Sequence, residues 1–251
     1  MKILKINILV IATIICSLSV SAQNFYPKES EYDEYSYSVK YSGERPTIKD
    51  FINAYVANPE DEHTGMISKV WQRYLKNEPQ PDGYKITVDT KNGFVCIEST
   101  TQEEDRNYKT IVEFCYWNCA DGKHKVFCES SFTYLNGKPD SGWQYDGISF
   151  NVYNNNIRKM THISSEDMGV VYIKTERDIY GSGFDGKNYY YENFETGEKK
   201  TLSESEYNKW IENLPVVTYS LPRVGKDITA TIHKPNGDKQ VKLTWDGYSF
   251  K

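Results

Sequence analysis

Apolar residues recur at helical spacing in three separate segments of the chain. The first predicted helix begins at Pro46-Thr47 and ends before Asn58-Pro59. The second runs from about Asp61 to Leu75, with apolar residues at every third or fourth position. The third lies near 203–214, where Ser203 and Glu206 match a capping box. These stripes predict helices that each bury one face against a core.

Asparagine-glycine and aspartate-glycine pairs divide most of the remaining chain into hairpins. Half of the 16 glycines directly follow Asp or Asn, and such pairs supply the positive φ angles that tight hairpin turns require. With a two-residue turn at Asn92-Gly93, Val88 faces Ile97. With a similar turn at Asn236-Gly237, Ala230 faces Leu243. Each register places apolar residues on one face of a sheet.

The order of these elements indicates the fold class. We expect an α+β, β-rich protein with a large curved antiparallel hairpin and meander sheet, two N-terminal helices and one helix near 203–214. The 251 residues fit a single α+β domain over 46–251, with any sub-boundary near 155–180. A flexible lead-in rich in tyrosine and acidic residues precedes it over 23–45.

The first residues of the chain match an export signal. Lys2 and Lys5 precede an apolar run over Ile8–Cys16, and Val20-Ser21-Ala22 places small residues before the expected cleavage point. We therefore expect a signal peptide over 1–22 and export to the periplasm, the outer membrane or the exterior. A retained anchor helix is the alternative. The run is too short to span a bilayer, so we expect no transmembrane segment in the mature chain.

Charge narrows the range of partners. The formal net charge is −5 at pH 7, whereas nucleic acids and anionic membranes require a concentrated basic surface. We therefore expect neither as the main partner.

Four cysteines remain after the predicted cleavage, at 96, 115, 119 and 128. A turn at Asp121-Gly122 makes Cys115 face Cys128 and Cys119 face His124. We count the Cys115–Cys128 pair as non-hydrogen-bonded, within reach of a disulfide, with buried free thiols as the alternative. The two facing pairs lie about 13 Å apart along the strands, which is too far for one zinc ion. We expect no metal site.

Residues 181–188 fit the glycine pattern of a phosphate-binding loop, but Tyr189-Tyr190-Tyr191 follows and is typical of a strand. A phosphate loop requires a helix at that point, so we predict a glycine-rich hairpin and no nucleotide cofactor. We assign no catalytic residue, because no motif of a known catalytic class occurs.

Aromatic residues are the remaining candidates for ligand binding. The chain has 21 Tyr, and exposed rings on a sheet bind sugars or peptides. The candidates are Trp143, Tyr145, Tyr189 and Tyr191. The alternative is that these rings pack the sheet, since Tyr is a good strand former.

Several short motifs extend over most of the mature chain: Ser21-Ala22-Gln23, Lys91-Asn92-Gly93-Phe94, Tyr116-Trp117-Asn118, Asp121-Gly122-Lys123, Leu221-Pro222-Arg223, Gly225-Lys226-Asp227-Ile228 and Leu243-x-Trp245-x-Gly247-x-x-Phe250. In these motifs the chain resembles a group of exported, uncharacterised proteins of gut Bacteroidetes. The resemblance implies export and a β-rich fold, and it implies no activity and no catalytic residue.

Three classes of function remain open at this point. An exported, non-enzymatic binding or interaction module, with a glycan or peptide as ligand, is favoured because fold signals are clear and catalytic motifs are absent. The alternative is an exported hydrolase whose cleft is not visible in the sequence. A structural or inhibitory component of the envelope, bound to an envelope protein, is the third class.

Overall fold

The structure, a computed structural model, describes residues 26–32, 36–57, 62–140, 147–170 and 179–251. The predicted signal peptide, Trp143 and Tyr145 lie outside these ranges.

Three α-helices form where the apolar stripes predict them: α1 Ile48–Tyr55, α2 Glu62–Leu75 and α3 Glu204–Asn213. At α3 the predicted capping box is present, because the Ser203 side chain accepts from the Glu206 N–H and the Glu206 carboxylate accepts from the Ser203 N–H. Among the described residues, none of the helices is both long and apolar enough to cross a bilayer.

A short 3-10 helix spans Glu29–Glu31. Fourteen strands are also described: β1 Tyr37–Ser38, β2 Tyr84–Asp89, β3 Phe94–Glu103, β4 Arg106–Asn118, β5 His124–Leu135, β6 Lys138–Asp140, β7 Gly147–Asn154, β8 Lys159–Ile163, β9 Tyr180–Phe184, β10 Tyr189–Asn193, β11 Lys199–Leu202, β12 Val216–Ser220, β13 Ile228–His233 and β14 Lys239–Leu243. The strand pairs among the described residues are antiparallel. This arrangement confirms the predicted β-rich α+β fold.

Eight strands form one sheet that curls into a half-barrel, in the order β1-β8-β7-β5-β4-β3-β2, with β6 paired to β5. Two smaller sheets of three strands accompany it, β12-β13-β14 and β11-β10-β9. Sequential neighbours pair almost throughout, as a meander of hairpins requires.

The large sheet is covered on both faces. Phe114, Phe127 and Tyr153 point to one face and pack with α1 and α2. Cys115, Trp117, Cys119, Val126, Cys128, Phe150 and Val152 belong to the core on the other face, together with Ile228 and Leu243 of the β12-β13-β14 sheet. The middle strand β5 is therefore buried continuously from Lys125 to Thr133. A strand covered on both faces must be buried at every position rather than at every second one.

The turns are longer than predicted. Val88 faces Val95 rather than Ile97, and Ala230 faces Val241 rather than Leu243. At the first turn the Asp89 carboxylate accepts hydrogen bonds from both the backbone and the side chain of Asn92, which stabilises a wider loop. The shift is two residues in each case, so every side chain keeps its predicted face.

The described part of the predicted lead-in packs against the domain. Its strand β1 lies at one edge of the large sheet and pairs with β8. Tyr26, Tyr32 and Val39 are buried. The Tyr26 hydroxyl donates to the carbonyl oxygen of Tyr248 over 2.8 Å. Tyrosine rings supply apolar area while their hydroxyls bind polar partners, so this tyrosine-rich segment is attached by its rings.

A substitution at Phe51 tests the description of the core between the large sheet and the helices α1 and α2. Its side chain is fully buried and lies 5.2–5.8 Å, between ring centroids, from Tyr116, Phe127 and Tyr153. We expect Phe51→Ala to lower the free energy of unfolding by about 3–5 kcal/mol in urea titrations, because it leaves a cavity among rings. Phe194→Ala is the matched control, since Phe194 is 68% exposed. Equal losses in both variants would contradict this description of the core.

Candidate functional site

Tyr189 and Tyr191 lie on β10, and their rings pack against α3. Tyr189 stacks on Tyr207 with 4.7 Å between ring centroids, and Tyr191 stacks on Trp210 with 4.9 Å. Tyr180 meets both Tyr191 and Trp210 edge-on. No residue of α3 is fully buried, so these half-buried rings hold the helix on its sheet. This packing role was the alternative interpretation of both tyrosines.

The opposite face of the same sheet carries rings that the sequence interpretation did not select. A Cβ atom at Gly181 would lie only 2.4 Å from the ring of Phe194, and one at Gly183 only 3.0 Å from the Tyr190 hydroxyl. Both glycines therefore let aromatic rings rest on the β9 backbone. The Lys199 ammonium covers Tyr190 at 3.6 Å from the ring centroid, while Phe194 stays exposed.

The segment that matches a phosphate-loop pattern is a hairpin. β9 pairs with β10, and the Asp185 carboxylate accepts from the backbone N–H groups of Lys187 and Asn188 in the turn. A strand follows the glycines where a phosphate site would require a helix, so the predicted hairpin is confirmed.

The cysteine register is confirmed, but the type of pair is not. Cys115 faces Cys128. The Cys119 N–H donates to the carbonyl oxygen of His124 over 3.1 Å, which makes that pair hydrogen-bonded. The Cys115–Cys128 pair, four residues further along each strand, is then hydrogen-bonded too, contrary to our count from a two-residue turn. All four described cysteines are free thiols, so the structure contains no disulfide there.

A pocket of about 510 Å³ lies beside the turn between β4 and β5. Four parts of the chain line it: residues 26–29, the turn residues Asp121, Lys123 and His124, Asn154 and Asn156 at the β7–β8 turn, and Tyr248 near the C-terminus. This volume lies in the range of small-molecule sites.

A chain of hydrogen bonds fixes the orientation of His124 in the pocket wall. Its Nδ1–H donates to the Asp121 carboxylate over 2.6 Å, and its Nε2 accepts from the Asn154 amide over 3.2 Å. The Asn154 carbonyl oxygen accepts from the Asn156 N–H, which sets the amide orientation. The ring of Tyr26 lies 5.0 Å from that of His124. These contacts fix the orientation of the imidazole ring.

Asp121 stays ionised at this site. Burial raises the pKa of its carboxyl, but hydrogen bonds from the His124 ring and from the backbone N–H groups of His124 and Lys123 outweigh that effect and lower the pKa. The Asp121 carboxylate therefore holds the turn together by accepting all three of these hydrogen bonds.

Two buried ionisable side chains, Cys119 and Tyr32, lie next to this wall of the pocket. Burial raises the pKa of the Cys119 thiol to about 12, despite a hydrogen bond with Tyr26. Burial, and then the neighbouring Cys119 and Asp121, raise the pKa of the Tyr32 hydroxyl, which has no hydrogen-bond partner among the described residues. Cys119 is a poor nucleophile in this setting, because only a thiolate reacts.

Sequence reasoning missed the pocket because its walls come from four distant parts of the chain. The only local signal was Asp121 followed by His124 across the turn. The predicted register places His124 opposite Cys119, and in the structure the His124 ring is hydrogen-bonded to Asp121 and Asn154. The described residues contain no group of three or more His, Cys, Asp or Glu side chains able to hold a metal ion.

Comparison with known proteins gives no relative of this chain. No protein-family model, curated protein or solved structure matches it.

Thiol labelling tests the buried cysteines. We expect native protein at pH 8 to react slowly with iodoacetamide, because burial raises the pKa values of Cys115 and Cys128 well above their usual range and that of Cys119 to about 12. After unfolding, all four described cysteines should be labelled, as peptide mapping can show. Recovery of Cys115 and Cys128 in one cross-linked peptide would instead establish the disulfide.

Trp210 tests whether the β10 tyrosines hold α3. We expect Trp210→Ala to weaken the helix by about 2 kcal/mol, since it removes the ring on which Tyr191 stacks and which Tyr180 meets edge-on. Amide hydrogen exchange over 204–213 should then become about thirtyfold faster. Phe184→Ala is the control, because Phe184 is 56% exposed and contacts only the ring of Tyr189 among the described aromatic pairs. Unchanged exchange in the Trp210 variant would contradict the packing role.

Proposed function

We propose that this protein is an exported, non-enzymatic binding module that holds a saccharide unit in the pocket beside the β4–β5 turn. The observation that carries the proposal is the convergence of Asp121, His124 and Asn154 on a pocket that also contains tyrosine rings. Export rests on the predicted signal peptide.

The mixture of hydrogen-bond donors and acceptors that lines the pocket suits the hydroxyl groups of a sugar. A sugar hydroxyl both donates and accepts, so a sugar site needs donors and acceptors close together. Here Glu29 and Asp121 offer carboxylate oxygens, while Asn156 and the two lysines at positions 28 and 123 offer N–H groups. Walls of this kind favour a glycan over a peptide, because each sugar hydroxyl both donates and accepts whereas a peptide N–H only donates and a peptide C=O only accepts.

Tyr248 adds an aromatic surface to the pocket. It is half-buried, and its ring lies 6.4 Å from that of Tyr26. Sugar rings place C–H groups on one face, and aromatic faces bind such groups. Tyr26 itself is buried and supports the pocket wall.

The pocket is organised before any ligand arrives. The Ala120 N–H donates to the Gly247 carbonyl oxygen, and the Asn155 N–H donates to the Lys123 carbonyl oxygen, each over 2.9 Å. The Asn156 amide donates to Glu29 over 3.0 Å. These bonds connect all four segments, so little conformational entropy is lost on binding.

An exported hydrolase is the second candidate, and one observation favours it. A carboxylate that orients a histidine is the arrangement of a general base. Against it, the Nε2 atom that would take a proton already accepts from Asn154. Release of reducing ends from a bound glycan, abolished in His124→Asn, would support hydrolysis and contradict a pure binding function.

The proposal is tested by a glycan array, followed by calorimetry with the glycan bound best. We expect Asn156→Ala to weaken binding about tenfold, because it removes one donor and frees Glu29 to move. Asn213→Ala is the matched control, since its amide binds only the Lys209 carbonyl oxygen at the end of α3. Absence of binding to every glycan, or equal affinities of the two variants, would contradict the proposal.

A further inference from the structure

We infer that the saccharide held in this pocket is acidic, with a carboxylate or sulfate group placed between the ammonium groups of Lys28 and Lys123. The inference rests on the proposed function and specifies its ligand class. It follows from which charged side chains around the pocket already have hydrogen-bond or ion-pair partners within the protein.

The acidic groups of the pocket already have donors. The Asp121 carboxylate accepts from the His124 ring and from two backbone N–H groups. The Glu29 carboxylate accepts from the Asn156 amide. Glu31, adjacent in the same segment, accepts from the Lys28 N–H over 2.6 Å. Each of these carboxylates therefore keeps its charge but already accepts at least one hydrogen bond from the protein.

The cationic groups have no such partners. The ammonium groups of Lys28 and Lys123 make no hydrogen bond or ion pair with the described residues. Both side chains are exposed at the pocket, one on the N-terminal segment and the other on the β4–β5 turn. The pocket therefore holds two carboxylates that described protein groups already engage and two ammonium groups that they do not, so the unengaged charged donors are the two lysines.

The chain as a whole carries no excess of cationic side chains. The formal net charge is −5, so two unpaired lysines at one pocket do not follow from a general excess of cations. An ammonium is a compact point charge on a flexible stem. Two of them accommodate either the planar carboxylate of a uronic acid or a sulfate ester, and the shared requirement is the negative charge.

The test compares matched sugars that differ in this charge. Binding of digalacturonate, of the neutral digalactose and of galactose 6-sulfate is measured by calorimetry at about 20 mM and about 300 mM salt. We expect at least one acidic sugar to bind about tenfold tighter than digalactose at low salt. This preference should shrink at high salt, because both lysines are exposed to solvent.

Variants assign the preference to the two lysines. The double variant K28Q/K123Q should reduce the acidic-to-neutral affinity ratio from about tenfold to about twofold or less. K187Q/K234Q is the matched control, since both lysines are exposed and neither lines this pocket. Thermal unfolding of each variant checks that the fold is intact.

The outcomes separate the two proposals. Equal affinities for acidic and neutral sugars, or an unchanged ratio in K28Q/K123Q, would overturn the acidic preference and leave the saccharide pocket standing. Binding to neither these sugars nor any glycan of the array would overturn both. Tight binding of galactose 6-sulfate alone would support the inference and identify sulfate as the anion.

Discussion

The rest of the structure depends on the burial of both faces of the β4–β5 hairpin. Even-numbered residues of β5 such as Val126 and Cys128 face the small C-terminal sheet, while Phe127 faces the helices. Two polar groups buried on this strand have partners: Glu129 accepts from the Tyr55 hydroxyl, and the Ser130 hydroxyl donates to the Tyr219 carbonyl oxygen over 2.6 Å. A buried polar group without a partner would cost free energy, so these bonds also fix which residues of α1 and β12 lie over the strand.

The periodicity of the chain predicted the elements of the fold because it depends on local properties. Helical stripes and a capping box are contained in short segments, and α1, α2 and α3 follow them closely. Turn length is different, because it depends on side chains that bind the loop backbone. Asp89 takes such a bond from Asn92, so the loop there is wider than two residues. Because the resulting shift is even, the predicted faces were correct although the predicted partners were not.

The binding surfaces were harder to predict because they depend on distant contacts. Tyr189 and Tyr191 look alike in sequence whether they face solvent or a helix, and only the position of Trp210 decides between the two. The position of the Phe194 ring did have a local signal, because the facing strand β9 has glycine at every second position, at Gly181 and Gly183. The pocket had almost no local signal, because its walls come from distant parts of the chain. Tyr26 and Tyr248, which are hydrogen-bonded to each other there, lie near opposite ends of the sequence.

The fold itself restricts where a ligand can bind. Helices cover one face of the large sheet and a second sheet covers the other, so its flat surfaces are occupied by the protein's own core. The turns at the ends of the strands stay accessible, and the turn after β4 leads directly into β5, which is buried continuously from Lys125 to Thr133. A group placed there is accessible to solvent and yet rigidly positioned. His124 and Asp121 lie at this turn, and Asn154 of the adjacent strand β7 binds the His124 ring. The same burial that stabilises the sheet therefore orients the side chains of the pocket.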